Sequence, residues 1–277
     1  MKIAHFSDPH AGMKCPDWTA WFDKRWVGLF NYRFRRCFQH DLEELKNAVD
    51  YIIDNKFDLV VCTGDLTTTG QKHEFELVKT YLQKLRDSNI PIIYTPGNHD
   101  CYVKRKSCVA AVNEMVEYLS KGDYKFSDMP FVRQYGELDF LVLNCSYPSN
   151  LLCSWGFLKK KDSEFIEKFC QEPKKRPIVL VNHYPIIEDH PILRLRHSLL
   201  GQKKVKKLLE DGVIDLSLCG HVHKQYSKCN NEGRGEYCSG SVTKNGIMTE
   251  INYDEETKKF DFKIIDLKNE GKLLCQH

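Results

Sequence analysis

An α/β fold with its ligand site at the carboxyl ends of the strands is predicted by three observations. Short apolar runs rich in β-branched residues recur along the chain, amphipathic helical stretches alternate with them, and five polar motifs each follow such a run. Strand ends of this kind are where α/β sheets bind ligands.

The elements follow in order. Ile3–Phe6 leads into Asp8-Pro-His10, and Leu59–Cys62 into Gly64-Asp65. Ile92–Tyr94 precedes Gly97-Asn98-His99-Asp100, Ile178–Val181 precedes Asn182-His183, and Val213–Cys219 precedes Gly220-His221-Val-His223. None of these runs has helical periodicity, so they read as buried strands. Between them, Asp41–Asn55 places Leu42, Leu45, Val49, Ile52 and Ile53 on one face, with acids in the first turn where they complement the helix dipole. His73–Asp87 repeats the spacing with Phe75, Val78, Leu82 and Leu85, and Val109–Ser120, Lys161–Cys170 and Lys203–Glu210 supply further helices. In the tail, Gly235–Asn252 and Lys258–Lys268 alternate as paired antiparallel strands joined at Asp254–Thr257. With no internal repeat or Pro/Gly/Ser linker, the expectation is one domain over residues 1–277. Residues 11–40 stand out as an insertion, because a strand-to-helix loop is ordinarily much shorter.

Composition narrows the class. A chain of 277 residues with 42% hydrophobic and 29% charged residues can bury a sizeable core. No apolar run is long enough to cross a bilayer, and MKIAHFSD enters the first motif at once, so no secretory signal is expected. The twelve cysteines include no C-x-x-C pair, and Cys62, Cys145 and Cys219 lie in strand-like runs. Free thiols in a reducing cytoplasm are therefore expected. The net charge of +3 is too small to imply nucleic-acid binding, and no nucleic-acid partner is expected. Charge is nevertheless uneven: in residues 11–40, Lys14, Lys24, Arg25, Arg33, Arg35 and Arg36 stand against Asp17 and Asp23, a net +4.

The motifs carry the chemistry. Carboxylate and amide oxygens and neutral imidazole nitrogens are ligands for hard or borderline divalent ions. Asp8 and His10, one residue apart at a strand end, can turn toward a single ion, and the His221/His223 pair can be directed at different ions. Gly64 lets the backbone approach closely and aims Asp65, whose two oxygens can bridge two cations. Asn98 offers a carbonyl oxygen without adding charge. Each piece alone has a plain structural explanation: a turn at Asp8-Pro-His10, a helix cap at Asp65, a turn at Asn98, a core histidine at His183. Five of them at strand ends, in this order, have no such shared explanation.

The order D-x-H, G-D, G-N-H-D, H and G-H-x-H over residues 8–223 resembles the calcineurin-like metallophosphoesterase superfamily. The resemblance implies a four-layer α-β-β-α sandwich of two mixed β-sheets with helices outside, the strand-rich tail helping to complete the second sheet. It implies one metal held by Asp8, His10, Asp65 and His223, and another held by Asp65 as bridge with Asn98, His183 and His221. His99 is then not a ligand but contacts the scissile phosphate and supports the leaving group, with Asp100 orienting it. The activity implied is hydrolysis of a phosphodiester or pyrophosphate by attack of metal-bound hydroxide. Two ions about 3.5–4 Å apart serve that reaction, and manganese, iron, zinc and magnesium all suit the donor set. A scaffold that kept the fold and lost turnover is the alternative from another class, but no motif is missing.

Substrate choice stays open. The Gly64-Asp65-Leu66-Thr67 and Asn182-His183-Tyr184-Pro185 wording resembles the bacterial cyclic-nucleotide phosphodiesterase branch, and neighbouring branches include lipid-linked nucleotide pyrophosphatases. In residues 11–40, Trp18, Trp21, Phe22, Trp26, Phe30, Tyr32, Phe34 and Phe38 interleave with the basic residues. They form either a cap gripping a lipid or an inner-membrane surface, which favours a nucleotide-lipid substrate, or a segment packing its aromatics onto the domain with arginines in water. The second is preferred because aromatic burial is so favourable. Arg194, Arg196 and His197, between two motifs, are candidates to clamp a second phosphate. His5, His40, His73 and His277 have no motif context and read as ordinary surface or core residues.

Overall fold

Side chains branched at Cβ favour extended backbone, and the apolar runs form strands where expected. The computed structural model describes residues 1–13, 17–148, 154–187 and 199–269. The chain runs through β1 (Lys2–Phe6), α1 (Arg25–Phe34), α2 (Glu43–Asp54), β2 (Leu59–Cys62), α3 (Lys72–Asp87), β3 (Ile92–Tyr94) and α4 (Lys106–Leu119). A hairpin follows, β4 (Phe131–Tyr135) and β5 (Leu138–Val142), then β6 (Gly156–Phe157), α5 (Lys160–Gln171), β7 (Ile178–Val181), β8 (Leu199–Leu200) and α6 (Lys203–Glu210). The last part comprises β9 (Leu216–Cys219), β10 (Tyr226–Cys229), β11 (Gly235–Cys238), α7 (Val242–Asn245), β12 (Ile247–Asp254) and β13 (Lys259–Asp266).

Two large mixed sheets result, ordered β13-β12-β1-β2-β3 and β10-β11-β9-β7-β5-β4. Alternation along the second sheet defines the layers. Phe140, Val142, Val179, Val181, Leu216 and Leu218 join the core shared with the first sheet and with α2, α3 and α4. Their neighbours Leu141, Leu143, Ile178 and Leu180 pack instead with Ile166 of α5 and Val205 and Leu209 of α6. Period-two side-chain direction thus turns one sheet into the wall between two cores. Tyr237 of β11 stacks on Phe262 of β13 across the gap, with ring centroids 4.4 Å apart. The four-layer sandwich is as expected.

The tail differs from its reading. Gly235–Asn252 is not one strand. Its first part, β11, lies in the second sheet beside β9, and α7 intervenes before β12 pairs with β1 in the first sheet. Ser241 caps that short helix through its hydroxyl, and Gly246 ends it at φ 68°. The tail therefore completes both sheets. Helix ends shift by a few residues, and the β4–β5 hairpin has no motif that would draw attention to it. Nine cysteines among the described residues are free thiols, and no helix among them is long and apolar enough to cross a membrane.

Helix α3 opens with a capping box in which Gln71 and Glu74 bond each other's backbone. Glu74 is fully buried, and its Oε2 also accepts from the Thr69 amide and hydroxyl, both at 2.9 Å. Burial pushes its carboxyl up from an ordinary 4.5 to about 7. A carboxyl raised in the folded state stabilises fully below its ordinary value and progressively less as pH rises through about 7. This group's own contribution to the unfolding free energy should therefore decline between about pH 5 and 7, by no more than about 1.4 kcal/mol per pH unit, against the opposite slope of buried histidines such as His5 and His40 below about pH 6.5. Glu74→Gln should remove that decline from the stability measured by urea unfolding; an unchanged pH dependence in the variant would remove the assignment.

Candidate metal centre

The motifs sit at the carboxyl ends of β1, β2 and β3 in one sheet and of β7 and β9 in the other, and because the sheets face each other these ends meet. The loops continue the strand pairing. Asp8 N–H donates to the Gly64 carbonyl at 2.9 Å, His10 N–H to Asp65 at 2.9 Å, and Gly220 N–H to His183 at 3.0 Å. A β-carbon on Gly97 would fall inside the Asp65 carboxylate, and one on Gly220 would collide with Ser7 and Asp8. Only glycine permits these approaches.

Asp8, His10, Asp65 and His223 bring one donor atom each within 4.8 Å of one another, and so do Asp65, His183 and His221. In the first group, His10 Nε2 lies 2.7 Å from His223 Nε2, 3.5 Å from Asp8 Oδ1 and 3.6 Å from Asp65 Oδ2. In the second, His183 Nε2 lies 3.4 Å from Asp65 Oδ2, 3.1 Å from His221 Nδ1 and 3.2 Å from Asn98 Oδ1. Ligands about 2.0–2.2 Å from a common ion stand roughly 3–3.5 Å apart, so these spacings fit divalent cations. Asp65 Oδ2 alone belongs to both groups. If Asp65 bridged two ions it would do so through this one oxygen, because Oδ1 accepts the His99 amide at 2.7 Å. Asp8 divides its oxygens likewise, Oδ2 accepting the His221 amide at 3.0 Å.

The two remaining oxygens, Asp8 Oδ1 and Asp65 Oδ2, are buried without a hydrogen-bond partner among the described residues. Unsatisfied carboxylate oxygens are costly to bury unless a cation compensates them. The imidazoles are already aimed: His183 Nδ1 is 2.6 Å from the Thr63 carbonyl and His10 Nδ1 3.3 Å from that of Thr67, which leaves each Nε2 lone pair facing inward. Burial opposes protonation of His183, yet the Asp65 charge outweighs it and lifts the ring to about 9. Backbone strain collects here as well. Of eight non-glycine residues with positive φ among the described residues, five are Asp8, His10, Asp65, His221 and His223, at 49–69°. Each left-handed residue costs about 1 kcal/mol or more, and such strain gathers at functional sites.

His99 lies at the rim of the first group, its ring centroid 4.9 Å from that of His10. Its Nδ1 stands 2.6 Å from the Thr68 carbonyl and must donate there, so Nε2 accepts from Arg36 Nη2 at 2.9 Å. Burial, then the Arg36 charge, push this ring down to about 3. The expectation that Asp100 orients His99 is corrected. Its carboxylate accepts from the amides of Leu66, Thr67 and Gly97 and the hydroxyls of Thr67 and Tyr94, so it ties motif loops together, while Thr68 orients the ring.

Residues 17–40 overturn the preferred packing reading. Trp18, Trp21, Phe22, Trp26, Phe30, Phe34 and Phe38 are exposed, Phe22 and Phe38 at 80%, whereas Arg25 is 1% exposed and Arg36 9%. Beneath this segment lie the polar motif loops: Gly28 sits over Thr69 and Tyr102, and of the eight aromatics only Tyr32 is half-buried, against Gly12. Arg25 is instead held by Asp17 at 2.7 Å and Asp23 at 2.8 Å, and Arg36 reaches His99. His40, read as an ordinary histidine, places its ring 5.1 Å from that of His10 and bonds Thr243. Neither Arg36 nor His40 carries a spacing signal. Arg194, Arg196 and His197 lie outside the described residues.

A family model described as calcineurin-like phosphoesterase matches residues 1–225. A 3′,5′-cyclic-nucleotide phosphodiesterase of Nostoc is 22% identical over 174 residues, 62% of this chain and 58% of the relative. A probable glycerophosphodiester phosphodiesterase of Arcobacter nitrofigilis is 27% identical over 173 residues, 61% of this chain and 58% of the relative. The chain thus spans 58% of the length of each of these two curated relatives. A dimetal phosphatase from Danio rerio shares the fold, with a TM-score of 0.67 at 13% identity over 96% of both chains.

Gly97→Ala should separate the second and third motifs. It is expected to lower the melting temperature by several degrees and the bound metal per chain at least severalfold, measured by calorimetry and elemental analysis. Full metal content in a folded variant would contradict the close-approach argument.

Proposed function

This chain belongs to the calcineurin-like phosphoesterase family, and we propose that it is a dinuclear, divalent-metal-dependent phosphoesterase acting on a small phosphodiester. The observation that carries this reading is the single oxygen, Asp65 Oδ2, standing among donors of both groups. Asp8, His10, Asp65 and His223 would hold one ion, and Asp65, Asn98, His183 and His221 the other. Two such ions supply Lewis acidity and a water of lowered pKa. We read residues 1–277 as one domain that presents this site, with 11–40 inserted over it.

The protein's own groups complete the chemistry. His99 faces the same space, where it can contact the scissile phosphate. Arg36, always charged, is the positive partner for charge that develops on phosphate oxygens. Asp100 acts at a distance, fixing the loops that carry Asp65 and His99. The phosphodiesterase names of the Nostoc and Arcobacter relatives support a diester substrate, with a cyclic nucleotide as the first candidate.

With manganese bound, the protein is expected to release p-nitrophenol from bis-p-nitrophenyl phosphate. His99→Ala should cut kcat by about 10²–10⁴-fold while metal content stays at two per chain. A wild-type protein that binds both ions and turns over nothing would point to the scaffold alternative.

A second reading concerns location, and the exposed aromatics favour it. Trp26, Phe30 and Phe34 recur every four residues along α1, with Trp18, Trp21 and Phe22 before them and Phe38 after. Arg33 and Arg35 are exposed in the same segment. Apolar ridges flanked by cations bind anionic bilayer surfaces. We propose peripheral docking on such a surface, compatible with a nucleotide-lipid substrate. The protein should float with phosphatidylglycerol vesicles and not with phosphatidylcholine vesicles, and Trp21→Ser/Phe22→Ser/Phe34→Ser should lose at least tenfold of the bound fraction. Equal flotation of that variant would refute the docking surface.

A further inference from the structure

Beside the metal ligands, the end of the 17–40 segment and the start of α7 enclose a cavity of about 110 Å³. Its lining includes Arg35, Arg36, Gln39, His40, His223 and Lys244. Three permanent or near-permanent cations meet there and no carboxylate lines the wall. The cavity opens directly onto the candidate centre, since His223 belongs to both and Arg36 touches His99.

Arg36 is the informative residue. Its guanidinium is buried, yet among the described residues its hydrogen bonds go only to the neutral ring of His99. Arg25, the other buried arginine among the described residues, has two carboxylate partners. A buried cation with no carboxylate in hydrogen-bonding contact carries a desolvation cost that the more distant charges of Asp65 and Asp8 only partly offset, and that an arriving anion would reduce. Lys244 is placed just as firmly. Its amide bonds the Ser241 hydroxyl, that hydroxyl donates to the Asp8 carbonyl at 2.7 Å, and Thr243 donates to Pro9 at 2.7 Å. The lysine is thus fixed relative to the first ligand loop.

We propose that this cavity is an anion subsite that holds a second, non-scissile phosphate of the substrate, next to the phosphate engaged by the metal ligands. Arg35 and Arg36 offer forked donors for phosphate oxygens, and Lys244 a point charge. The role of second-phosphate clamp expected for Arg194, Arg196 and His197 thus has a well-placed bearer elsewhere in the chain. The inference rests on the phosphoesterase reading, and it narrows the substrate to phosphodiesters that carry another phosphate close by.

The test compares two probes that differ by one phosphate. Binding of ADP and AMP to the metal-loaded protein is measured by titration calorimetry, and ADP is expected to bind at least about tenfold more tightly, the worth of one charge-assisted hydrogen bond. Arg35→Gln and Lys244→Gln should each bring that ratio toward one, with unchanged melting temperature, and Lys244→Arg should restore it. Equal binding of the two probes by the wild type, or an unaltered ratio in both glutamine variants, would overturn the subsite. Absence of turnover with bis-p-nitrophenyl phosphate alongside an intact ratio would sink the phosphoesterase reading and leave the subsite standing.

Discussion

Two buried carboxylates, Asp8 and Asp65, set the terms on which this protein folds. Each fastens one oxygen to an amide of a different motif and turns the other toward imidazole nitrogens. Charged oxygens can be held in so dry a place only if the loops around them are fixed from several sides. Strand-like bonds between the loops after β1 and β2 do this, as does the Asp100 carboxylate with its five donors. Left-handed backbone at five of the candidate ligands is the strain that follows from aiming them inward, and the two facing sheets hold it in place.

The 17–40 segment obeys the same electrostatics. A helix laid over polar loops finds little apolar surface to cover, so among the described residues only Leu29 is a large apolar residue buried along it. Ala20, Arg25, Gly28 and Leu29 face the protein, and Arg36 reaches the rim of the centre. Its apolar ridge is left for another surface. One segment therefore supplies both a charge beside the candidate ligands and an exposed aromatic face.

Much of the fold and most of the candidate cluster of donor residues could be read in the sequence, for a physical reason. A candidate ligand placed two to four residues after a buried strand leaves a local trace, as at Asp8, Asp65, Asn98 and His183. Residues recruited by tertiary folding leave none: Arg36 and His40 matter because α1 folds back across the strand ends. Exposure was misjudged because aromatic content states how much burial is available and not what lies underneath. Asp100 stood beside His99 in sequence, yet its carboxylate reaches the preceding loops instead. Gly235–Asn252 read as one alternating stretch because period two persists while the chain passes from one sheet to the other through α7.

The clasp at α7 has a wider meaning for how far the working unit extends. Similarity to the family stops at residue 225, but Val242 donates to the Ser7 carbonyl, Ser241 secures Asp8, and β12 flanks β1 along its length. A fragment cut after the last histidine motif would keep every coordinating side chain and lose the brace behind the first of them. The unit that holds the candidate ligands in place therefore runs past its own signature, through α7 and β12.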